Sequence, residues 1–363
     1  MSSSNRWLEG IQILDLTRYL AGPACTRLLV ELGADVIKVE HPPYGDPNRS
    51  NRPRINKRAG THIQQNRGKR SICIDMNTKE GKEIILDLAE HVDVVVENFS
   101  PGVLDRKGLG YSALIEKNEN LIMASVSGFG QTGPLSSLPC FDLIAQGYAG
   151  IMHMTGEPDR PPMFVGIGMG DTNAGVHAFA AIGHALFHRE RTGRGTHLDI
   201  SMVDALFHMQ DMPVHASSMT DGEYVPMRQG TEFQMLAPAG SFRGPEGWIV
   251  ILCAEAQISN LYAAMERPEL EEDPRFMGNP ARLENRAALL DFLQKEGMQK
   301  LILDLRGNPG GYLHIANQIC DEFLKAGELI VFTEGRNRSK QETFATQNGS
   351  LENIKIITLI DEG

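Results

Sequence analysis

The sequence predicts an α/β chain: a doubly wound, Rossmann-like parallel sheet, followed by a truncated smaller domain and a β-α-β tail fragment. Three observations predict it. Strand-like and helix-like runs alternate from Ile11 to Val126, the texture turns Gly/Pro-rich after about Gly222, and it changes again near Gln294. The corresponding domains are residues 1–222, 223–293 and 294–363.

Ile11 to Leu16 (IQILDL) reads as a buried strand. Pro23 suits the first turn of a helix reaching about Leu32, and Gly33 closes that helix before the strand Val36 to Glu40. A second β-α-β unit follows, with a strand Ser71 to Asp75, a helix from Thr78 carrying Ile84, Ile85, Leu86 and Leu88, and a strand Val92 to Glu97. Leu121 to Val126 continues the alternation. Between the two units the Pro-, Asn- and Arg-rich segment Pro42 to Lys69 lacks periodicity and reads as a long loop near the ligand. From Asp171 to Arg191 the residues Val176, Phe179, Ile182 and Leu186 recur at helical spacing, with Gly193 just past the end. A strand Thr196 to Ser201 and a helix from about Val203 complete the large domain. The smaller domain shows a strand Trp248 to Leu252 and a charged helical run, and the tail opens on a buried strand Leu301 to Leu305. In such a sheet, ligands sit at the carboxyl ends of the strands.

The composition is that of an ordinary globular protein, 41% hydrophobic and 22% charged over 363 residues. A formal net charge of −11 argues against nucleic acid or an anionic membrane as the main partner, so an anionic ligand must meet a local site. The five cysteines (Cys25, Cys73, Cys140, Cys253, Cys320) are scattered, which fits reduced thiols in a cytoplasm. No apolar run approaches a membrane span, and a cytoplasmic protein is expected.

No G-x-x-x-x-G-K-S/T or G-x-G-x-x-G pattern follows the first strands, so nucleotide triphosphate and NAD sites have no support. His184 and His188 have zinc-ligand spacing without a third ligand, and they read as a packed or solvated pair; no metal is expected. Asp171, in Gly168-Met-Gly-Asp171-Thr-Asn-Ala-Gly175, stands where a helix begins. On position alone it reads first as an N-cap; the other reading is a carboxylate nucleophile at the positive end of a helix, and spacing does not decide between them.

Residues Leu8 to about Leu293 resemble the family III CoA-transferases. The stretches that carry the likeness are LEGIQILDLTRYLAGPACTRLLVELGADVIKVE (8–40), GKRSICIDMNTKEGK (68–82), DVVVENFSPGVLDRKGLGY (93–111), SVSGFGQTGP (125–134) and GMGDTNAGVHAFAAIGHALFHRERTGRG (168–195). The resemblance implies an enzyme that moves CoA from an acyl-CoA thioester to a carboxylic acid acceptor. The CoA thioester is then a substrate, with no tightly bound cofactor. It makes Asp171 the nucleophile, passing through a mixed aspartyl anhydride and an aspartyl-CoA thioester. It assigns CoA contacts to Tyr19, Leu20, Ala21, Ile74, Asn77 and Arg106, with Lys38 and His41 near the adenine or phosphates, and it implies an interlocked homodimer. The α-methylacyl-CoA racemases share this fold and are the alternative. Their proton-transferring histidine falls at Phe141, whose ring has no ionisable nitrogen. The family's glycine-rich lid has no counterpart in RQGTEFQMLAPAG (228–240), and its longer C-terminal portion is replaced after Leu293.

Residues 294–363 resemble instead part of a C-terminal-processing serine peptidase, through KLILDLRGNPGGYLHIANQICDEFL (300–324) and ITLIDEG (357–363). That family's serine follows directly after the DEG motif and its lysine lies further on, both past Gly363, so no peptidase activity is expected. Two resemblances in one chain read most simply as a hybrid that can leave the transferase incomplete.

Overall fold

The computed structural model describes residues 6–243, 247–296, 300–304, 313–335, 338–347, 349 and 355–359. The chain divides into two compact units, Met1–Arg228 and Gln229–Gly363. In the first, β1 (Gln12–Asp15), α1 (Ala21–Glu31) and β2 (Asp35–Glu40) form one β-α-β unit. The segment read as a loop holds a small hairpin, β3 (Arg54–Ile55) and β4 (Arg58–Ala59), and the helix α2 (Gly60–Asn66). Its two-residue turn places Asn56 and Lys57 at positive φ, the geometry that suits a tight hairpin and that apolar periodicity does not reveal. β5 (Arg70–Cys73), α3 (Lys79–Ala89) and β6 (Val94–Glu97) form the second unit, and the Thr78 side chain caps α3 by accepting from the Gly81 N–H. Then come α4 (Val103–Lys107), α5 (Tyr111–Ile115), β7 (Ile122–Ser127), α6 (Asp142–Tyr148), α7 (Ile151–Met154), α8 (Met169–Thr192), β8 (Thr196–Ser201), α9 (Met202–His208) and α10 (Asp211–Met219).

The six long strands form one parallel sheet in the order β5-β2-β1-β6-β7-β8. Numbered along the chain, that is the 3-2-1-4-5-6 order of a doubly wound fold, which leaves a crevice where the order reverses, between β1 and β6. Side chains alternate across the pleat. Ile13, Val36, Val94 and Ile122 pack under α1 and α8 with Ala174, Ala178 and Ile182, while Leu14, Leu16, Val95 and Met123 pack with Ile85, Leu104 and Leu114 on the other face. α8 lies close against α1. A Cβ at Gly175 would sit 2.7 Å from the Ala21 carbonyl oxygen and 2.9 Å from Ala24 Cβ, so this position requires glycine.

In the second unit β9 (Ala239–Arg243) and β10 (Trp248–Leu252) form an antiparallel hairpin, and α11 (Ile258–Ala264), α12 (Gly278–Glu284) and α13 (Arg286–Glu296) follow. Ala237, Ile258, Tyr262, Phe276 and Leu289 form the core of this part, around a buried Arg282 that donates to the carbonyls of Ala237 and Phe276 and pairs with Glu255. β11 (Lys300–Asp304) pairs in parallel with the last strand, Lys355–Leu359, which is β14. Between them lie α14 (Leu313–Asp321), β12 (Leu329–Gly335) and β13 (Arg338–Phe344). The Gly307 to Gly311 turn and residues 360–363 of the closing motif lie outside the described residues.

Charges are buried at the carboxyl ends of the central strands. Asp15 on β1 is fully buried; it accepts from the hydroxyls of Thr17 (2.5 Å) and Thr26 (2.8 Å) and lies 3.0 Å from Lys69 Nζ. Burial alone would raise this carboxyl, but Lys38, Lys69 and the Thr17 hydroxyl hold it well below the usual carboxylate range. Glu97, ending β6, has the opposite balance. Burial pushes its carboxyl up to about 7 against hydrogen bonds from Ser125 and the Phe99 N–H (2.7 Å).

Two stability predictions follow from these opposite environments. Lys69→Met leaves the buried Asp15 charge under-compensated and should cost about 3–5 kcal/mol at pH 7 in urea unfolding followed by circular dichroism. The Asp15 contribution is complete above the unfolded carboxylate value, near pH ~4, and is lost as pH falls below it. For Glu97 the sign reverses: its raised folded value means that stability is lost as pH climbs from about 4.5 to about 7. Glu97→Gln should therefore gain up to about 3 kcal/mol at pH 8 and little at pH 4. An equal effect at both values would show that ionisation of Glu97 is not the cause.

Candidate active site

The turn that leaves β1 is held at almost every backbone polar group by a side chain from elsewhere. The Thr17 N–H donates to Asp15 (2.9 Å) and its carbonyl accepts from Lys38 Nζ (2.7 Å). Asn98, just past β6, clasps Arg18 through both backbone groups, at 2.8 and 2.7 Å. The Tyr19 N–H donates to Asp46 (3.2 Å) and its carbonyl accepts from Asn48. Tyr19 has φ 63°, a left-handed conformation that a bulky residue keeps when its surroundings over-determine it. The turn thus stands rigid at the sheet's switch point.

Two cavities meet there, and both are lined by Arg18 and Phe99, with the Arg18 guanidinium 4.6 Å above the Phe99 ring. The first is walled by Leu16, Met76 and Val103, with His41, Asn77 and Lys107 at its polar edge. Lys107 Nζ donates to the Asn77 side-chain carbonyl, and His41 Nδ1 lies 3.3 Å from Asp75. The second cavity brings Tyr19, Leu20 and Ala21 together with Phe141 and Asp171.

Of the candidates named from sequence, Tyr19, Leu20, Ala21 and Asp171 thus share one cavity, and His41 and Asn77 share the adjoining one. Lys38, Ile74 and Arg106 line neither. The Lys38 ammonium is buried between the Thr17 carbonyl and Asp46 Oδ2 (3.0 Å), so it braces the turn from below. Ile74 is buried in the core with Ile85 and Leu104. Arg106 is exposed beside Gly102, whereas its neighbour Lys107, one helical step of 100° away, reaches the cavity. Sequence reasoning missed Arg18 and Lys107. Arg18 directly follows the predicted first strand, at the position where the parallel-sheet rule places ligands.

Asp171 is not the helix cap. α8 begins two residues earlier, at Met169 with Gly168 as N-cap, so Asp171 is in the first turn. A residue from another helix satisfies the amides there: Asp142 Oδ1 accepts from the N–H groups of Gly170 (2.7 Å) and Asp171 (3.1 Å). Among the described residues no donor is bonded to the Asp171 carboxylate. Burial, and after it the charge of Asp142, push that carboxyl up to about 7. Cys140 lines the same cavity, and burial with the charges of Asp171 and Asp142 raises its thiol to about 11. The Phe141 ring stands at the cavity wall, 5.9 Å from the Tyr19 ring and edge-on to it. His184 and His188 are both exposed on α8, and His184 Nδ1 is 2.7 Å from the Ala180 carbonyl. Among the described residues no helix is long and apolar enough to cross a membrane.

This geometry offers a half-buried carboxylate beside a glycine-rich helix start, in a crevice with an apolar wall and a cationic rim. Known proteins with related sequences and folds agree in kind. Residues 8–301 match the family model described as CoA-transferase family III, and residues 276–363 match that described as Peptidase family S41. The chain is 43% identical over 292 residues to a succinyl-CoA:mesaconate CoA-transferase of Haloarcula hispanica, covering 78% of this chain and 72% of that protein. It is 39% identical over 289 residues to an acetyl-CoA:oxalate CoA-transferase of Acetobacter aceti, covering 79% and 74%. Among solved structures, a CAIB/BAIF family protein from Brucella suis superposes with a TM-score of 0.73 at 32% identity, over 96% of this chain and 97% of that one. A hypothetical protein from Mycobacterium tuberculosis does so at 0.72 and 32%, over 82% and 79%. A family match across residues 8–301, joined by relatives well above 30% identity, carries the assignment: the chain belongs to CoA-transferase family III.

Proposed function

We propose that this enzyme transfers CoA from an acyl-CoA thioester to a carboxylic acid, with Asp171 as the nucleophile. The observation that carries the reading is the Asp171 carboxyl itself, half-buried at the strand-end crevice and bonded to no donor among the described residues. One Asp171 oxygen attacks the thioester carbonyl carbon, the C–S bond breaks, and CoA thiolate leaves behind a mixed anhydride. The thiolate then attacks the aspartyl carbon of the anhydride, releasing the donor acid and forming an aspartyl-CoA thioester. The acceptor carboxylate attacks that thioester to form a second anhydride, and the thiolate attacks the acceptor's acyl carbon and frees Asp171. Overall one thioester is exchanged for another and no atom changes oxidation state, so no redox partner is called for, and positioning and electrostatics carry the reaction over the higher-energy anhydrides.

The first cavity suits part of the CoA moiety, with Lys107 and His41 toward its phosphates and apolar residues against its chain. Arg18 lines the cavity that holds Asp171 and suits the carboxylate of the acceptor. The two transferases named above act on mesaconate and oxalate, both dicarboxylic acids, and an acceptor of that class is our reading here. A homodimer fits the exposed Val176 and Phe187, eleven residues apart on one face of α8, and the free, scattered cysteines fit a cytoplasmic location. Proton transfer of the racemase kind is disfavoured by Phe141, a non-ionisable ring at the cavity wall.

The direct test incubates the chain with acyl-CoA and traps the acyl-enzyme with hydroxylamine. Wild type should be modified at Asp171 and Asp171→Ala should not, with turnover reduced about a thousandfold or more. Equal modification of the two proteins sinks the assignment, and deuterium uptake at the α-carbon of a 2-methylacyl-CoA would redirect it to racemisation. Lys107→Ala should raise KM for the acyl-CoA about tenfold and leave kcat within about twofold, the signature of a contact shared by ground and transition states.

A further inference from the structure

We propose that Asp142 is a positioning residue for the transfer: it takes over the first-turn amides of α8, so that the Asp171 carboxylate has no donor of its own helix and faces a second negative charge. The inference rests on the nucleophilic reading of Asp171. A carboxylate in the first turn of a helix is ordinarily stabilised by the free N–H groups there. Here those groups are all occupied by others. The Met169 N–H donates to the Ile167 carbonyl (2.9 Å), Gly170 and Asp171 donate to Asp142, and Thr172 donates to the Gly168 carbonyl (3.0 Å).

Asp142 is itself fixed. Gln146, one turn along α6 and fully buried, donates from Nε2 to Asp142 Oδ2 (2.7 Å) and to the Ile167 carbonyl (3.0 Å), and its Oε1 accepts from the Val165 N–H (3.3 Å). The same amide side chain therefore anchors the charge and the chain segment that enters α8. A Cβ at Gly170 would lie 3.2 Å from both Asp142 Oδ1 and Leu206 Cδ1, so the close approach of α6, α8 and α9 leaves little room for a side chain there. The titratable and charged groups around Asp171 are Asp142 at the start of α6, Cys140 just before it, and Arg18 and Tyr19 from the turn after β1; α9 contributes the apolar Met202. Arg18 is the cation of this set and is held over Phe99.

Chemically, the arrangement withholds stabilisation from the anion. Attack converts Asp171 into a neutral anhydride or thioester, which relieves the repulsion from Asp142, so the penalty falls on the ground state and not on the covalent intermediates. The cost is a proton. The Asp171 carboxyl, pushed up to about 7, is attacking in its ionised form above that pH and is silenced by protonation below it.

The experiment compares wild type with Asp142→Asn, whose amide oxygen still accepts from Gly170 and Asp171 but carries no charge. Asp171 is titrated by carbon-13 NMR of aspartate-labelled protein, assigned with Asp171→Ala, and kcat and KM are measured from pH 5 to 9. The Asp171 midpoint and the acid limb of kcat should both move down by about half a pH unit or more. The plateau kcat should fall about tenfold, with KM for the acyl-CoA within about threefold. A midpoint and acid limb that stay in place while activity drops would overturn the proposal, because a merely structural cap affects the rate without moving the titration. Should Asp142→Asn not fold, Asp142→Ser, which retains a hydroxyl acceptor for the same amides, is measured in its place with the same two outcomes. Failure of the nucleophile reading is seen separately, as hydroxylamine-trapped label that persists in Asp171→Ala.

Discussion

The buried charge cluster beneath the first strand is the constraint on which the site depends. Asp15, Lys38, Asp46 and Lys69 come from four separate segments, and each is bonded to the turn Thr17 to Tyr19, to another member, or to both. Burying four charges is expensive in isolation, and the cluster is tolerable because each ammonium meets both a carboxylate and a carbonyl. What results is geometric. A turn containing a left-handed tyrosine is held in one shape at the place where the sheet order reverses, and the cavity that contains Asp171 is built directly on it.

Around this point the carboxylates divide into two groups by environment. Asp15, and Glu40 at about 2, are surrounded by cations and donors and remain ionised at any physiological pH. Glu97 and Asp171 have no cation bonded to them among the described residues, and burial pushes both carboxyls up to about 7. Opposite shifts within one crevice are how a fold assigns different duties to the same side chain. Asp15 is a fixed structural charge. Glu97 holds the Phe99 N–H at the shared wall of the two cavities, and Asp171 has its oxygens free.

Much of this was legible in the sequence because it is periodic. The alternation of Ile13, Val36, Val94 and Ile122 on one face and Leu14, Val95 and Met123 on the other follows from the two-residue repeat of a strand, and the parallel sheet with its crevice follows from the strand–helix alternation. The placement of Asp171 was legible to within two residues, and those two residues matter. As a cap it would have bonded its own amides; in the first turn it leaves them to Asp142, 29 positions away and invisible to any local pattern. Lys38 shows the converse limit. A basic residue on a strand beside a presumed anion site invites a ligand role, but the register of β2 against β1 turns its side chain under the turn, where Asp46 and the Thr17 carbonyl claim it. Arg106 and Lys107 are adjacent in sequence, and the helical step between them decides which one faces the cavity.

The division of labour also lets an acidic chain present a cationic point to an anionic ligand. The net charge of −11 repels anions on average, but the field inside a crevice is set by the groups that line it. Arg18 is carried on the braced turn, clasped by Asn98 through its backbone and stacked over Phe99, so its charge is held at the boundary of the two cavities without a carboxylate partner of its own among the described residues. A flexible surface lysine would give up rotamer entropy of up to about 2 kcal/mol on binding; a pre-placed guanidinium gives up less. The same clasp ties the position of Arg18 to that of β6, and Glu97 ties β6 to the Phe99 amide. Cation and aromatic wall are therefore both referenced to the end of β6, beside the cavity that contains Asp171.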